Sequence, residues 1–129
     1  MAKGGGGAGR GGGVAIPAGA SERQASYIRD LYAKNLRLDN DPENERRMIR
    51  LLNGAYQHTA SYRNTRAEQG EDAALKDAQG WARKMLPRLK RDSAKRMRSE
   101  VAKLTPSRAI DYLKNGGASY QDIIRSWRR

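Results

Sequence analysis

Residues 81–104 read WARKMLPRLKRDSAKRMRSEVAKL, and the way this stretch sorts its side chains decides the fold class. Wound at ~100° per residue, it places Leu86, Leu89, Met97, Val101 and Leu104 on one side, with the small Ser93 among them. Opposite them Lys84, Arg88, Arg91, Lys95 and Arg98 fall into line at alternating steps of four and three, which keep side chains on one helical face. The five cations span roughly 21 Å at the usual rise. Arg83, Lys90, Arg96 and Lys103 flank them, and Asp92 and Glu100 are the only acids in the stretch. The stripe is expected to find no pairing along its own helix, and so to face a polyanion while the apolar side faces a core.

The rest of the chain sharpens that asymmetry. Residues 1–80 carry 12 Lys/Arg against 10 Asp/Glu, whereas residues 81–129 carry 14 against 4, so +10 of the net +12 lies in the last 49 positions. A basic footprint of this kind suits nucleic acid, an anionic membrane surface or an acidic protein. At 129 residues, 37% hydrophobic and without Phe, the chain has room for one modest core. The absence of Cys excludes disulfides, thiolate metal sites and a cysteine nucleophile. No apolar run approaches the ~20 residues of a membrane span, and the N-terminus has no apolar h-region. An intracellular, cytoplasmic protein is the expectation.

Residues 1–20, MAKGGGGAGRGGGVAIPAGA, read as a disordered Gly-rich arm, because glycine at this density costs too much backbone entropy to order. Lys3 and Arg10 make it a thin version of an RGG segment. A single helical domain is expected over 21–129, basic from 81 onward. Ser21 and Gln24 form a capping box before a helix to about Asn35, with Tyr27, Ile28 and Leu31 inward, Tyr32 at the edge and 36–40 as loop. Asp41-Pro42-Glu43 starts a second helix, which the pattern of Met48, Leu52, Ala55, Tyr56 and Thr59 carries to about Ala67, with Gly70 as its stop. Glu71-Asp72 opens another, and the basic helix follows; Pro87 predicts a kink or a break there, and a break would remove Lys84 from the stripe. Thr105-Pro106 starts a short helix with Ala109, Ile110 and Leu113 inward, stopped by Gly116-Gly117. Ser119 to Asp122 caps the last, where Ile123, Ile124 and Trp127 can bury. No stretch alternates with period two, so the fold class is all-α: a small bundle of five or six helices.

The segment from Thr105 to Arg129 also has the outline of a helix-turn-helix, its reading helix presenting Ser119, Tyr120, Gln121, Arg125, Arg128 and Arg129. Any αα-hairpin has the same outline. Signals for catalysis are poor. His58 is the only histidine, with no carboxylate at i±4 to share a metal. The oxygen-rich run from Asp39 to Glu45 lacks the EF-hand's central Gly and closing Glu, so caps and dipoles explain it better. The N-terminal glycines lack the Gly-Lys-Ser/Thr of a phosphate loop. Neither an enzyme nor a cofactor is expected.

Two patches carry a resemblance. Ser21-x-x-Gln24-Ala25-Ser26-Tyr27-Ile28-x-x-Leu31 is similar to a pattern near the start of many small proteins of actinobacterial phages. Leu104-Thr105-Pro106-Ser107-Arg108-Ala109-Ile110-Asp111-Tyr112-Leu113-Lys114 resembles their closing A-S-x-x-I-D-x-L-K element, with Pro106 where Ala is usual. The resemblance implies a phage or mobile-element accessory protein and no activity.

The combined expectation is a non-enzymatic, nucleic-acid-binding accessory protein. Lys84, Arg88, Arg91, Lys95 and Arg98 would contact phosphates, supported by Arg96, Lys103, Arg108, Arg125, Arg128 and Arg129, with Gln121 and Arg125 as base readers if the last hairpin reads a groove. Duplex DNA is favoured over RNA or single strands, since only Trp81, Tyr120 and Trp127 could stack at the basic face. The alternatives are a phage inhibitor or adaptor docking on an acidic host protein, and a virion component facing packaged genome.

Overall fold

Side-chain caps at Ser21, Asp41, Thr105 and Ser119 set four of the helix starts, and each is legible in its own short stretch of sequence. The computed structural model describes residues 13–128. Most of the arm read at 1–20, with Lys3 and Arg10, lies outside them, as does Arg129. Among the described residues there are six α-helices and no strand. They are α1 (Glu22–Asp39), α2 (Pro42–Tyr56), α3 (Ala60–Gln69), α4 (Glu71–Lys103), α5 (Pro106–Lys114) and α6 (Tyr120–Ser126). None is long and apolar enough to cross a membrane.

At α1 the capping box closes in both directions: the Gln24 N–H donates to Ser21 Oγ at 3.1 Å and the Ser21 N–H to Gln24 Oε1 at 3.0 Å. The helix does not end near Asn35. Asn35 is buried and its amide donates to the Leu113 carbonyl at 3.0 Å, taking up one of the last carbonyls of α5. A residue that favours a helix end by local propensity is thus held inside one by a tertiary bond, and the expected loop at 36–39 is helical.

Asp41 Oδ2 accepts from the N–H of Glu43 at 3.1 Å and of Asn44 at 3.4 Å, and Pro42 takes the first turn of α2. That helix stops at Tyr56 rather than near Ala67. Thr59, read as part of a buried stripe, instead accepts the Tyr62 N–H at 3.2 Å and donates to the Tyr56 carbonyl at 2.6 Å, which ends one helix and caps the next. The new direction seats Tyr62 against Ala74 and Ala78. Gly70 closes α3 with φ +96°.

Helix α4 runs without interruption from Glu71 to Lys103, with Pro87 inside it. The break that Pro87 predicted does not occur. Pro87 and Arg83, whose carbonyl loses its helical donor, are both exposed, so water can take the bond, while Ala82 and Leu89 on either side are fully buried and hold the helix down.

The domain expected from residue 21 onward gathers into two compact units. In the first, residues 13–38 and 94–118, Ile28, Tyr32, Met97, Val101, Ala109 and Leu113 form the core. Tyr32, expected at an edge, is 4% exposed, whereas Tyr27, expected inward, is 43% exposed. Residues 13–20, read as part of the arm, lie on this unit: Val14 and Ile16 pack against its core and Pro17 is buried. Gly116 and Gly117 turn the chain after α5 with φ +99° and +72°, and a Cβ on Gly117 would stand 2.5 Å from Met97 Sδ. Only glycine satisfies both constraints.

In the second unit, residues 39–93 and 119–128, α2 packs along α6, and Met48, Leu52, Ala82, Leu89, Ile123 and Ile124 are buried. Tyr56 meets Tyr62 edge-on at 6.4 Å and Trp81 at 5.3 Å, extending the small cluster of Tyr62, Ala74 and Ala78. The alanines at 74, 78 and 82 continue the buried seam of α4, a spacing that the larger apolar residues after Trp81 overshadowed in the sequence.

Candidate nucleic-acid interface

Because α4 is continuous, Lys84, Arg88, Arg91 and Lys95 keep one helical register over ~17 Å, and all four are exposed. Arg98 leaves the line. The buried seam advances from Ser93 to Met97 to Val101 in steps of four, each rotating it by ~40°, and so brings Arg98 to its flank. There Arg98 is half-buried and donates to the Tyr32 hydroxyl at 3.1 Å.

The expectation that nothing pairs along the helix fails at Arg88. Asp92 stands four residues on, with Arg88 Nε 3.7 Å from its Oδ2. The same carboxylate oxygen accepts the Trp127 indole N–H at 2.8 Å, and the Arg88 guanidinium lies 4.4 Å over the Trp127 ring. Arg88 therefore helps to dock the end of the chain as well as facing solvent. Lys90, on the flank, is drawn into the second unit by Glu45 and by Asn40 Oδ1 at 2.9 Å.

The supporting residues distribute unevenly. In the first unit Lys103 and Arg108 are exposed, Lys103 lying 3.9 Å from Glu100, and Arg96 is half-buried. Burial pushes the Tyr112 hydroxyl up to about 12; Glu100 adds to this and Arg96 opposes it. In the second unit Gln121, Arg125 and Arg128 are exposed on and just beyond α6. Arg125 pairs with Asp122 at 3.1 Å and Arg128 donates to the Ala55 carbonyl at 2.9 Å. The helix-turn-helix outline resolves into α5 in the first unit and α6 in the second, where α6 packs on α2. Gln121 and Arg125 line a cleft beside α2 together with Arg50 and His58.

The three aromatics read as possible stacking platforms are each half-buried and engaged. Trp81 packs on Tyr56, Trp127 bonds Asp92, and Tyr120 donates its hydroxyl to Asp39 with Arg47 at 5.8 Å over its ring. Burial raises the carboxyl of Asp39 above its ordinary range, and Tyr120, Ser93 and Lys90 partly offset this. The Tyr120 hydroxyl is likewise raised, by burial first and then by Asp39. The oxygen-rich run 39–45 is thereby spent on a cap, an ion pair and a buried bond. Among the described residues no cluster of three metal-ligating side chains occurs.

Sequence reasoning missed Arg50 and Gly54, which stand four residues apart on α2 with His58 four further on. That spacing was a usable signal, but Gly54 was read only as a glycine the helix tolerates. Comparison with protein-family models, with curated proteins and with solved structures finds no match to the chain.

Proposed function

We propose that the protein is a non-enzymatic, nucleic-acid-binding accessory factor that holds the backbone of duplex DNA against the cationic face of α4. The observation that carries this reading is the exposure of Lys84, Arg91 and Lys95, with Arg88 beside them, in one register of an unbroken helix. A duplex presents one phosphate charge per ~1.7 Å of axis, so a rigid row of cations can neutralise several at once and release their counterions. Such contacts supply affinity with little sequence information. Engagement of Trp81, Tyr120 and Trp127 in the fold favours duplex over single-strand binding, which depends on presented aromatic faces. The similarity of the Ser21–Leu31 and Leu104–Lys114 patches to phage proteins supports an accessory role in an infected cell.

Fluorescence anisotropy with a random duplex of DNA, the matching single strand and an RNA duplex tests the reading. Micromolar or tighter binding, strongest for the DNA duplex and falling steeply with salt, is expected. No binding of any nucleic acid at low salt would refute it and turn the search to acidic protein partners.

A further inference from the structure

A second group of cations in the second unit lies on and just beyond α2 and α6. Helices α2 and α6 flank a cleft of about 310 Å³, at the lower end of the ~300–1,000 Å³ typical of small-molecule sites. Arg50, Arg125 and Arg128 line it, joined by His58 and Gln121, and among the described residues Asp122 is the one carboxylate paired with any of the three arginines. Leu51, Gly54 and Ile124 supply its apolar part. All three arginines are exposed, so an anion seated in the cleft would meet their positive charge.

The local geometry leaves donors available. Arg128 uses one N–H on the Ala55 carbonyl, which orients its guanidinium beside the cleft and leaves further N–H groups. The Arg125–Asp122 pair is solvent-exposed, with side chains 66% and 57% accessible, so little is lost when Arg125 turns to a stronger acceptor. Gly54 lines the same cleft. It sits in the last turn of α2, two residues before the helix ends at Tyr56, and a Cβ there would meet nothing within 4 Å. The missing side chain leaves open space where the cleft lies.

We propose that this cleft binds a phosphomonoester carried on an organic body of nucleotide size. Three guanidinium forks match the three terminal oxygens and roughly double charge of such a group better than the two oxygens and single charge of a carboxylate. The apolar wall of Leu51 and Ile124 accepts a ring, and Gln121 offers both a donor and an acceptor to its edge. A free nucleoside monophosphate and the 5′-phosphorylated end of a strand present the same chemistry.

The test uses the full chain carrying Lys84→Gln, Arg91→Gln and Lys95→Gln, so that failure of the duplex reading and failure of this one are separable. Calorimetric titration with AMP, adenosine, and a short strand bearing either a 5′-phosphate or a 5′-hydroxyl is expected to show binding that requires the phosphate, at least tenfold above its phosphate-free counterpart. A phosphorylated strand tenfold tighter than AMP identifies a strand end as the source, and AMP equal or tighter identifies a free nucleotide. Adding Gly54→Leu, which fills the cleft, or Arg50→Gln with Arg125→Gln, both exposed, should lower affinity at least tenfold with circular dichroism unchanged. Equal binding of AMP and adenosine together with equal binding of the two strands, or full binding by both cleft variants, would overturn the proposal.

Discussion

Replacing Lys84, Arg91 and Lys95 together by Gln removes three exposed cations and touches none of the paired ones. Arg88 is left in place because it bonds Asp92 and covers Trp127, so its loss would confuse docking of α6 with loss of charge. Lys, Arg and Gln have similar helix propensities, and exposed substitutions of this kind shift stability by less than about 0.5 kcal/mol each. Each phosphate neutralised on duplex DNA contributes a slope of about −0.9 to log K against log salt, so three contacts contribute about −2.7. Between about 50 and 200 mM salt, a fourfold change, the ratio of wild-type to variant affinity should therefore shrink about 40-fold. The assay is fluorescence anisotropy with a duplex of about 25 base pairs across that range, beside thermal melts of both proteins. Parallel salt plots would refute the reasoning, because they would mean that none of the three side chains displaces counterions. A large drop in melting temperature would refute it differently, by showing that the row is part of the packing.

Three further outcomes follow from the packing and the buried charges. Gly117→Ala should destabilise the first unit by about 2 kcal/mol, from the left-handed φ and the clash with Met97, measured by urea unfolding. Thr59→Ala should cost about 1 kcal/mol through loss of the α3 cap, and an unchanged denaturation midpoint would mean that water replaces the hydroxyl. Burial raises Asp39 above its ordinary 3.8, so the folded state holds that proton more tightly than the unfolded chain, and the stability it contributes below pH 3.8 is lost as pH rises through the raised value. Asp39→Asn should accordingly be more stable than wild type at pH 7, with the difference closing as the pH falls toward 3.8; a variant less stable at pH 7 would show that Lys90 and Tyr120 outweigh burial.

What could be read without the structure was whatever acts within a few residues. The caps at Ser21, Asp41, Thr105 and Ser119, the proline starts at Pro42 and Pro106, and the stops at Gly70 and Gly116 are local hydrogen bonds and local dihedrals, so each was visible in its own short window. The seam of Leu89, Ser93, Met97 and Val101 was equally plain, because helical periodicity is a property of the chain alone. Tertiary structure decided the rest, wherever a long-range partner outweighed a local preference. Asn35 stays helical because Leu113 takes its amide, and Thr59 ends a helix in place of burying in one. Pro87 is carried through because the buried residues on either side outweigh one lost bond on the wet face. The charges divide in the same way. Sequence put five cations on one line, but only packing could draw Arg98 to Tyr32, tie Arg88 to Trp127 and bring Arg50 beside Arg125, since those partners lie from 39 to 75 positions away in the chain.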